Sequence, residues 1–402
     1  MSPEQILALG GQEQVNKLKA LLGGEAGTNG ESSARVDAPL SDFSVKVVQE
    51  DDEFQARKIV NNFNSAGRQD MYYFYEPAYF MVNQVKERAE GTEAAKAKYG
   101  VSRKSYTTKV YALKQPVTDE TVANAQKPID RIYEDATTFV TRQFLLNKEK
   151  AFASALLADG VWATEFTGQA AALTNPEEVI GVTAEAGKFQ HFDQATSKPL
   201  DVFDLAMEYM QLKSGVRPNT VVMTRKVFTA LKRNSMIKTT KLYTSQNSAS
   251  DDAIMDTIAS HIGIPSNRIF ILDVVEAAGT PELVAQVPST PMQVNDGVST
   301  INVDDQGYAR NSSDALVGGQ FIGGKGILLM HIDTKSTGMY SATAAVCCQW
   351  TGLYADGGDL GNTVFKRYRK EEFSAEFIEG RTAFSYHIVA PALGVWLKDV
   401  VA

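Results

Sequence analysis

The run PIDRIYEDATTFVTRQFLLNKEKAFASALL, residues 128–157, decides the fold. Ile129, Ile132, Tyr133, Ala136, Phe139, Val140, Phe144, Phe152, Ala155 and Leu156 recur at three- and four-residue steps. That spacing stacks side chains along one face of a helix. Pro128 opens the run, and neither Gly nor Pro follows until Gly160. At 1.5 Å per residue, residues 129–157 form a rod of about 43 Å. A helix of that length with a broad apolar stripe predicts a spine through the molecule rather than a short packing helix.

On the C-terminal side, Lys198-Pro199-Leu200-Asp201 starts a helix running to Lys213, and Gly215 stops it. Thr220 to Met223 reads as a short buried strand, Lys226 to Arg233 as a helix with Val227, Phe228 and Leu231 inward. Asp251-Asp252 opens a helix to Ile262, because carboxylates favour a helix N-terminus. Ile269 to Val275 is a buried strand. This alternation predicts a compact mixed α/β lobe. Gly279 to Gly326 is polar and rich in Gly and Pro, and reads as loops or a hairpin projecting from that lobe. Ile327 to Ile332 and Ala342 to Trp350 are expected strands; Thr363 to Val401 is expected to form long antiparallel strands turning at Glu379-Gly380-Arg381 and at Pro391.

On the N-terminal side, Tyr106 to Leu113 alternates as a strand, ended by Pro116. Val82 to Tyr99 is polar and rich in Glu, Lys and Ala, which predicts an exposed helix broken at Gly91. Phe43 to Val48 is strand-like, and Tyr72, Tyr73, Phe74, Tyr75, Tyr79 and Phe80 form an aromatic cluster suited to packing. A base-stacking platform would need an electropositive groove, whereas this cluster holds Asp70 and Glu76 against Arg68. Ile6 to Leu22 has partial helical spacing broken at Gly10-Gly11, and Gly23 to Ser33 has the composition of a flexible tether.

The 402 residues are 44% hydrophobic and 22% charged, with 40 basic and 48 acidic side chains and a formal charge of −8. The length predicts two lobes or one lobe with large excursions. An acidic chain with scattered cations is not expected to grip nucleic acid through its phosphates, although it can lie beside DNA. Met1-Ser2-Pro3-Glu4 carries no basic n-region or apolar run, so no signal peptide is expected, and no stretch reaches the roughly 18 apolar residues of a membrane span. Cys347 and Cys348 are adjacent, too close for a relaxed disulfide, and read as small apolar residues of a buried strand in a reducing compartment. Synthesis and folding in the cytoplasm are therefore expected.

No catalytic, cofactor or metal residue emerges. Gly319 to Gly326 nearly matches a phosphate-binding loop, but Gly326 replaces the required hydroxyl and Lys325 leads towards a strand instead of a helix. His191, His261, His331 and His387 are far apart, with no second His or Cys at ligand spacing. Tyr354 to Asn362 lacks the carboxylate count of a calcium loop and reads as a tight turn.

Three ordered stretches resemble the major capsid proteins of tailed bacteriophages, whose Hong-Kong-type fold also occurs in herpesvirus shells and encapsulins. The first is Tyr106 to Glu120, followed by Asn124-Ala125 and Pro128-Ile129. It is similar to the returning strand of the family's extended loop and its entry into the spine helix. The second is Phe189-Gln190-His191-Phe192-Asp193 through Ser197-Lys198-Pro199-Leu200, with Phe192 where family members often carry Trp. The third is Gly215-Val216-Arg217-Pro218-Asn219-Thr220-Val221-Val222-Met223, then Val227-Phe228 and Leu231.

The resemblance implies an α+β fold in five parts. These are an N-terminal arm (1–65), an extended β-hairpin loop (66–120), and a peripheral domain with the spine helix (121–198). An α/β axial domain (199–345) and long peripheral strands (346–402) complete it. It implies a non-enzymatic shell of pentamers and hexamers enclosing double-stranded DNA without sequence-specific binding, with scaffolding, portal and decoration proteins as partners. Such a protein assembles in the host cytoplasm and ends in the virion. Some relatives join loops through Lys and Asn side chains; Lys104, Lys109 and Lys114 lie in the candidate loop, but no activating carboxylate is identified, so no crosslink is expected. The alternative is an encapsulin-like compartment that packages a cargo enzyme.

Overall fold

A computed structural model describes residues 35–36, 53–75, 81–88, 90–91, 93–97, 100–124, 129–171, 187–243, 251–278, 302–303, 309–310, 318–333, 342–353 and 363–402. The partial helical spacing of Ile6 to Leu22, the tether, the strand at Phe43 to Val48 and the turn at Tyr354 to Asn362 lie outside these residues.

The described strands are β1 (Arg35–Val36), β2 (Asn62–Ser65), β3 (Gln69–Tyr75), β4 (Val101–Thr107), β5 (Lys109–Thr118) and β6 (Glu165–Gln169). They continue with β7 (Lys188–Gln190), β8 (Thr220–Thr224), β9 (Ile269–Leu272), β10 (Val275–Ala278), β11 (Asn302–Val303) and β12 (Ala309–Arg310). The last six are β13 (Gly318–Phe321), β14 (Ile327–Met330), β15 (Ala345–Trp350), β16 (Thr363–Lys370), β17 (Ala375–Ile388) and β18 (Gly394–Lys398). The described helices are α1 (Ala56–Ile59), α2 (Asp119–Asn124), α3 (Ile129–Leu156) and α4 (Pro199–Ser214). After them come α5 (Arg225–Arg233), α6 (Ser235–Tyr243) and α7 (Asp251–Ile262). The fold is mixed α+β, as expected.

The chain divides into two compact units, each assembled from three segments: 1–44, 112–140 and 363–381 in the first; 45–111, 141–362 and 382–402 in the second. The chain passes from one unit to the other within α3, β5 and β17.

In the first unit β1 pairs antiparallel with β16, which is hydrogen-bonded to β17 after the short turn at Glu371–Phe373. Asp119 caps this hairpin from outside: its carboxylate accepts two hydrogen bonds from the Arg369 guanidinium at 3.0 and 2.7 Å, and its N–H donates to Ser374 O. Bidentate geometry of this kind fixes orientation as well as adding attraction. Arg367 stacks its guanidinium on the Tyr133 ring at 3.9 Å and pairs with Glu376.

The expected turn at Glu379-Gly380-Arg381 does not form; β17 runs straight through it. The chain turns earlier, where Ser374 adopts φ 44 in the left-handed region. Glu379 and Arg381 pair with each other instead, and the Tyr368 hydroxyl donates to Glu379 at 3.0 Å. Pro116 likewise does not end its strand: β5 continues to Thr118 through an exposed Pro116.

The second unit centres on a six-stranded sheet in the order β7-β6-β18-β14-β8-β9. Its strands are short and its centre is buried, with β8 and β14 buried at every position. This is the pattern of a sheet covered on both faces. α4 starts with Pro199 in its first turn and ends on Gly215, whose φ of 74 lets its N–H donate back to Gln211 O. α6 was not expected from periodicity. It begins one residue after α5, where the Asn234 carboxamide oxygen accepts the Met236 N–H at 2.9 Å as a helix-capping residue does.

α3 is the expected rod, with one correction. Tyr133, Ala136, Val140, Phe144, Phe152 and Leu156 are buried, whereas Phe139 is 49% exposed. Successive helix residues turn by about 100°, so Phe139 points well away from the stripe centred on Val140. The indole N–H of Trp162 donates to Leu156 O at 2.7 Å and closes the helix C-terminus.

Candidate assembly surfaces

β3 and β4 pair antiparallel from Gln69↔Thr107 to Tyr75↔Val101, leaving residues 76–100 to connect them. The ladder is anchored at one end. Tyr72, Tyr106, Val346, Cys348 and Val389 form a small buried cluster, with Phe63 edge-on to Tyr106 at 6.2 Å. The Tyr72 hydroxyl donates to Ile388 O at 3.4 Å. Beyond that root the described side chains of β4 are exposed or half-buried. Five of seven positions in β4 are exposed, as are Met71 (67%), Val101, Met81, Val82 and Val85 (85%). A two-stranded ladder with both faces in water is marginal on its own.

The described residues among 82–97 are not helical, contrary to the expectation for Val82 to Tyr99. Good helix propensity does not suffice where no apolar stripe exists to dock the helix.

Sites of possible chemistry resolve into structural roles. Gly319 to Gly326 spans β13, a turn and β14, so the chain after Lys325 enters a strand. Gly323 and Gly324 take φ of 102 and 70 in that turn, and a Cβ at Gly326 would lie 2.1 Å from the Trp396 ring. Cys347 and Cys348 are buried neighbours in β15; burial pushes the Cys347 thiol up to about 11 and Cys348 higher still. The histidines stay apart: His261 faces Asp204 at 3.1 Å, His331 Nδ1 meets Arg217 O at 2.8 Å, and burial lowers the pKa of His387 beside Tyr106. Lys109 and Lys114 lie exposed on β5, Lys114 over the Phe377 ring at 5.2 Å. Among the described residues no three His, Cys, Asp or Glu side chains gather as a metal site, and no helix is long and apolar enough to cross a membrane.

Sequence reasoning missed one group. Glu149 on α3 is 1% exposed, and its Oε1 accepts the N–H groups of Gln55 and Ala56 at the start of α1, the latter at 2.9 Å. Its Oε2 has no hydrogen-bond partner among the described residues. Burial raises the carboxyl from 4.5 to about 7, against the two backbone donors that pull it down. The lone Glu within an apolar helical face was the available signal.

A raised carboxyl pKa means that the folded state holds the proton more tightly than the unfolded chain. Its contribution to stability is full below about pH 4.5 and is lost as pH rises towards 7. Replacing Glu149→Gln should raise the melting temperature only slightly at pH 5, where little of the penalty has set in. At pH 8 it should stabilise the protein, by up to about 3 kcal/mol from the size of the shift. Thermal melts of both proteins across pH 5–8 check this; parallel curves would mean the carboxylate is ionised throughout.

The family model described as phage capsid protein matches residues 102–354. No curated protein matches the sequence. Among solved structures, a phage-related protein from Bordetella bronchiseptica RB50 has a TM-score of 0.58 at 14% identity, covering 92% of this chain and 98% of that one. The mature capsid of bacteriophage PhiM1 gives 0.45 at 12% identity, with 85% and 86% covered. An encapsulin complex from Synechococcus elongatus PCC 7942 gives 0.41 at 9% identity, with 86% and 87% covered. The first likeness establishes a shared fold; the other two are weaker.

Proposed function

Because this chain belongs to the phage capsid protein family, we propose that it is the major capsid protein of a tailed phage, the repeated subunit of an icosahedral head enclosing double-stranded DNA. Members of that family are capsid shell proteins and virion components, with structural work to do rather than catalysis.

The observation that carries the reading is the β3–β4 ladder: anchored at its root by Tyr72 and Tyr106, with five of seven β4 positions exposed, and followed by exposed Met81, Val82 and Val85 in the connection between its strands. An element without its own core is stabilised by neighbours. Residues 66–120 then act as the intersubunit loop, 1–65 as an arm, 121–198 and 346–402 as a peripheral domain around α3, and 199–345 as an axial domain. A shell of this kind closes by summing many weak contacts. The net charge of −8 suits a container that holds DNA without gripping it. Scaffolding, portal and decoration proteins are the partners such a head uses, and assembly takes place in the host cytoplasm.

Expression with a scaffold, where one is needed, should give capsomers or closed particles visible by electron microscopy. A strictly monomeric species at high concentration with scaffold present would sink the proposal. Native particles containing a protein cargo instead of DNA would turn it into a compartment shell.

A further inference from the structure

The second unit holds an open cavity of about 650 Å³ lined from α5, α6 and α7. Its apolar lining is Phe228, Ile237 and Ile254, all buried side chains. Its charged lining is Arg225, Lys232, Arg233, Lys238 and Asp251. Two of these cations are already balanced. Arg225 donates to Asp273 Oδ1 at 2.6 Å and to Asp251 Oδ2 at 2.9 Å, while Lys232 Nζ lies 2.7 Å from Asp251 Oδ1. Among the described residues Arg233 and Lys238 form no ion pair, and both are exposed. The cavity therefore sets apolar side chains beside two uncompensated positive charges. Its chemistry fits a pair of carboxylates attached to an apolar or aromatic body.

The chain itself carries such a group. β11 and β12 pair antiparallel, Asn302↔Arg310 and Val303↔Ala309, so Asp304-Asp305-Gln306-Gly307-Tyr308 connects them. Two carboxylates match the two unbalanced cations, and the Tyr308 ring matches the apolar lining. A ladder of two residues per strand is marginal by itself in water. We propose that the cavity receives the Asp304–Tyr308 connection of a second copy of this chain.

Two features favour a second copy. β10 and β13 pair from Val275↔Phe321 to Ala278↔Gly318, so residues 279–317 are an insertion that leaves and re-enters on one two-stranded stem. A cavity on one copy and a plug on the next also form a heterologous contact, which repeats around a ring until every copy both gives and receives. The proposal rests on the shell-forming reading.

Charge reversal tests it. Arg233→Glu with Lys238→Glu, and separately Asp304→Lys with Asp305→Lys, should each cut particle yield about tenfold or more, since like charges then face each other. Melting curves of the subunits should not move, because the reversed cavity residues are exposed; if that pair unfolds, Arg233→Gln with Lys238→Gln takes its place. Mixing the two reversed proteins should raise particle yield well above that of either alone, because each reversed cavity can then meet a reversed plug on another copy; rings of six can alternate the two proteins throughout, whereas rings of five keep one like-charged contact. The chain carrying all four reversals should also assemble. Rescue by the four-fold variant without rescue by mixing would place the contact inside one chain and overturn the proposal. Normal yield from both reversed proteins would overturn it too. Failure of the unaltered chain to assemble would instead count against the shell-forming reading.

Discussion

Removing residues 84–98 and bridging the gap with a short Gly-Ser linker should leave a subunit that melts like the intact chain but cannot close into regular particles. The described residues in this stretch are almost all exposed, and Val85 is 85% so. The deletion therefore removes little buried area, and folding stability should change by no more than about 1 kcal/mol. The root of the hairpin, built on Tyr72, Tyr106 and Cys348, lies outside the deletion. Assembly is a sum over repeated contacts, so losing one from every copy multiplies; particle yield should drop by about tenfold or more. Circular dichroism melts and particle counts by electron microscopy separate the two effects. Normal shells from the shortened chain would remove the segment from the intersubunit contact. A collapsed melt would place it in the subunit core.

The largest stability effect is expected at Phe152. Its ring is fully buried and meets Tyr386 edge-on at 5.5 Å. Phe152→Ala removes that contact and leaves a void, at a cost of about 3–5 kcal/mol. This approaches the whole stability of many domains, so the variant should be largely unfolded at physiological temperature. Phe139→Asp, thirteen positions earlier on the same helix, should change stability by about 0.5 kcal/mol or less, because that ring is half exposed. If Phe139 packs against a neighbouring copy, the aspartate will reduce particle yield while the melt stays put. Denaturant titrations of both variants decide the matter. A stable Phe152→Ala protein would mean that the helix buries another face.

Phe139 also marks where sequence reasoning reached its limit. Three- and four-residue steps identify a helix, but a stripe that includes both Phe139 and Val140 is too wide to bury completely in one direction. Which edge stays open depends on what packs there. The α/β lobe was legible because its signals are local: Pro199 at a first turn, Gly215 past a last one, Asp251-Asp252 at an N-terminus. The expected turn at Gly380 failed for the opposite reason. Gly marks a turn only where left-handed backbone is needed, and here Ser374 supplies it. Short α6 hid behind two threonines and was betrayed only by Asn234. The exposure of the segment joining β3 and β4 was readable as polarity, yet its helical propensity pointed to the wrong local structure. Glu149 was marked only by the apolar residues at helical spacing around it, since a glutamate on a helix is ordinarily solvated and its depth is a property of the packed chain.

The two cysteines have a practical consequence. Both thiols are buried in β15, and their raised pKa values leave almost no thiolate at neutral pH. The native chain should therefore be silent towards maleimides and slow to oxidise while folded. One cysteine introduced at Val85 would then be the sole readily labelled thiol of each subunit. A dye placed there reports whether that position is covered when copies come together, without first stripping the protein of its own cysteines.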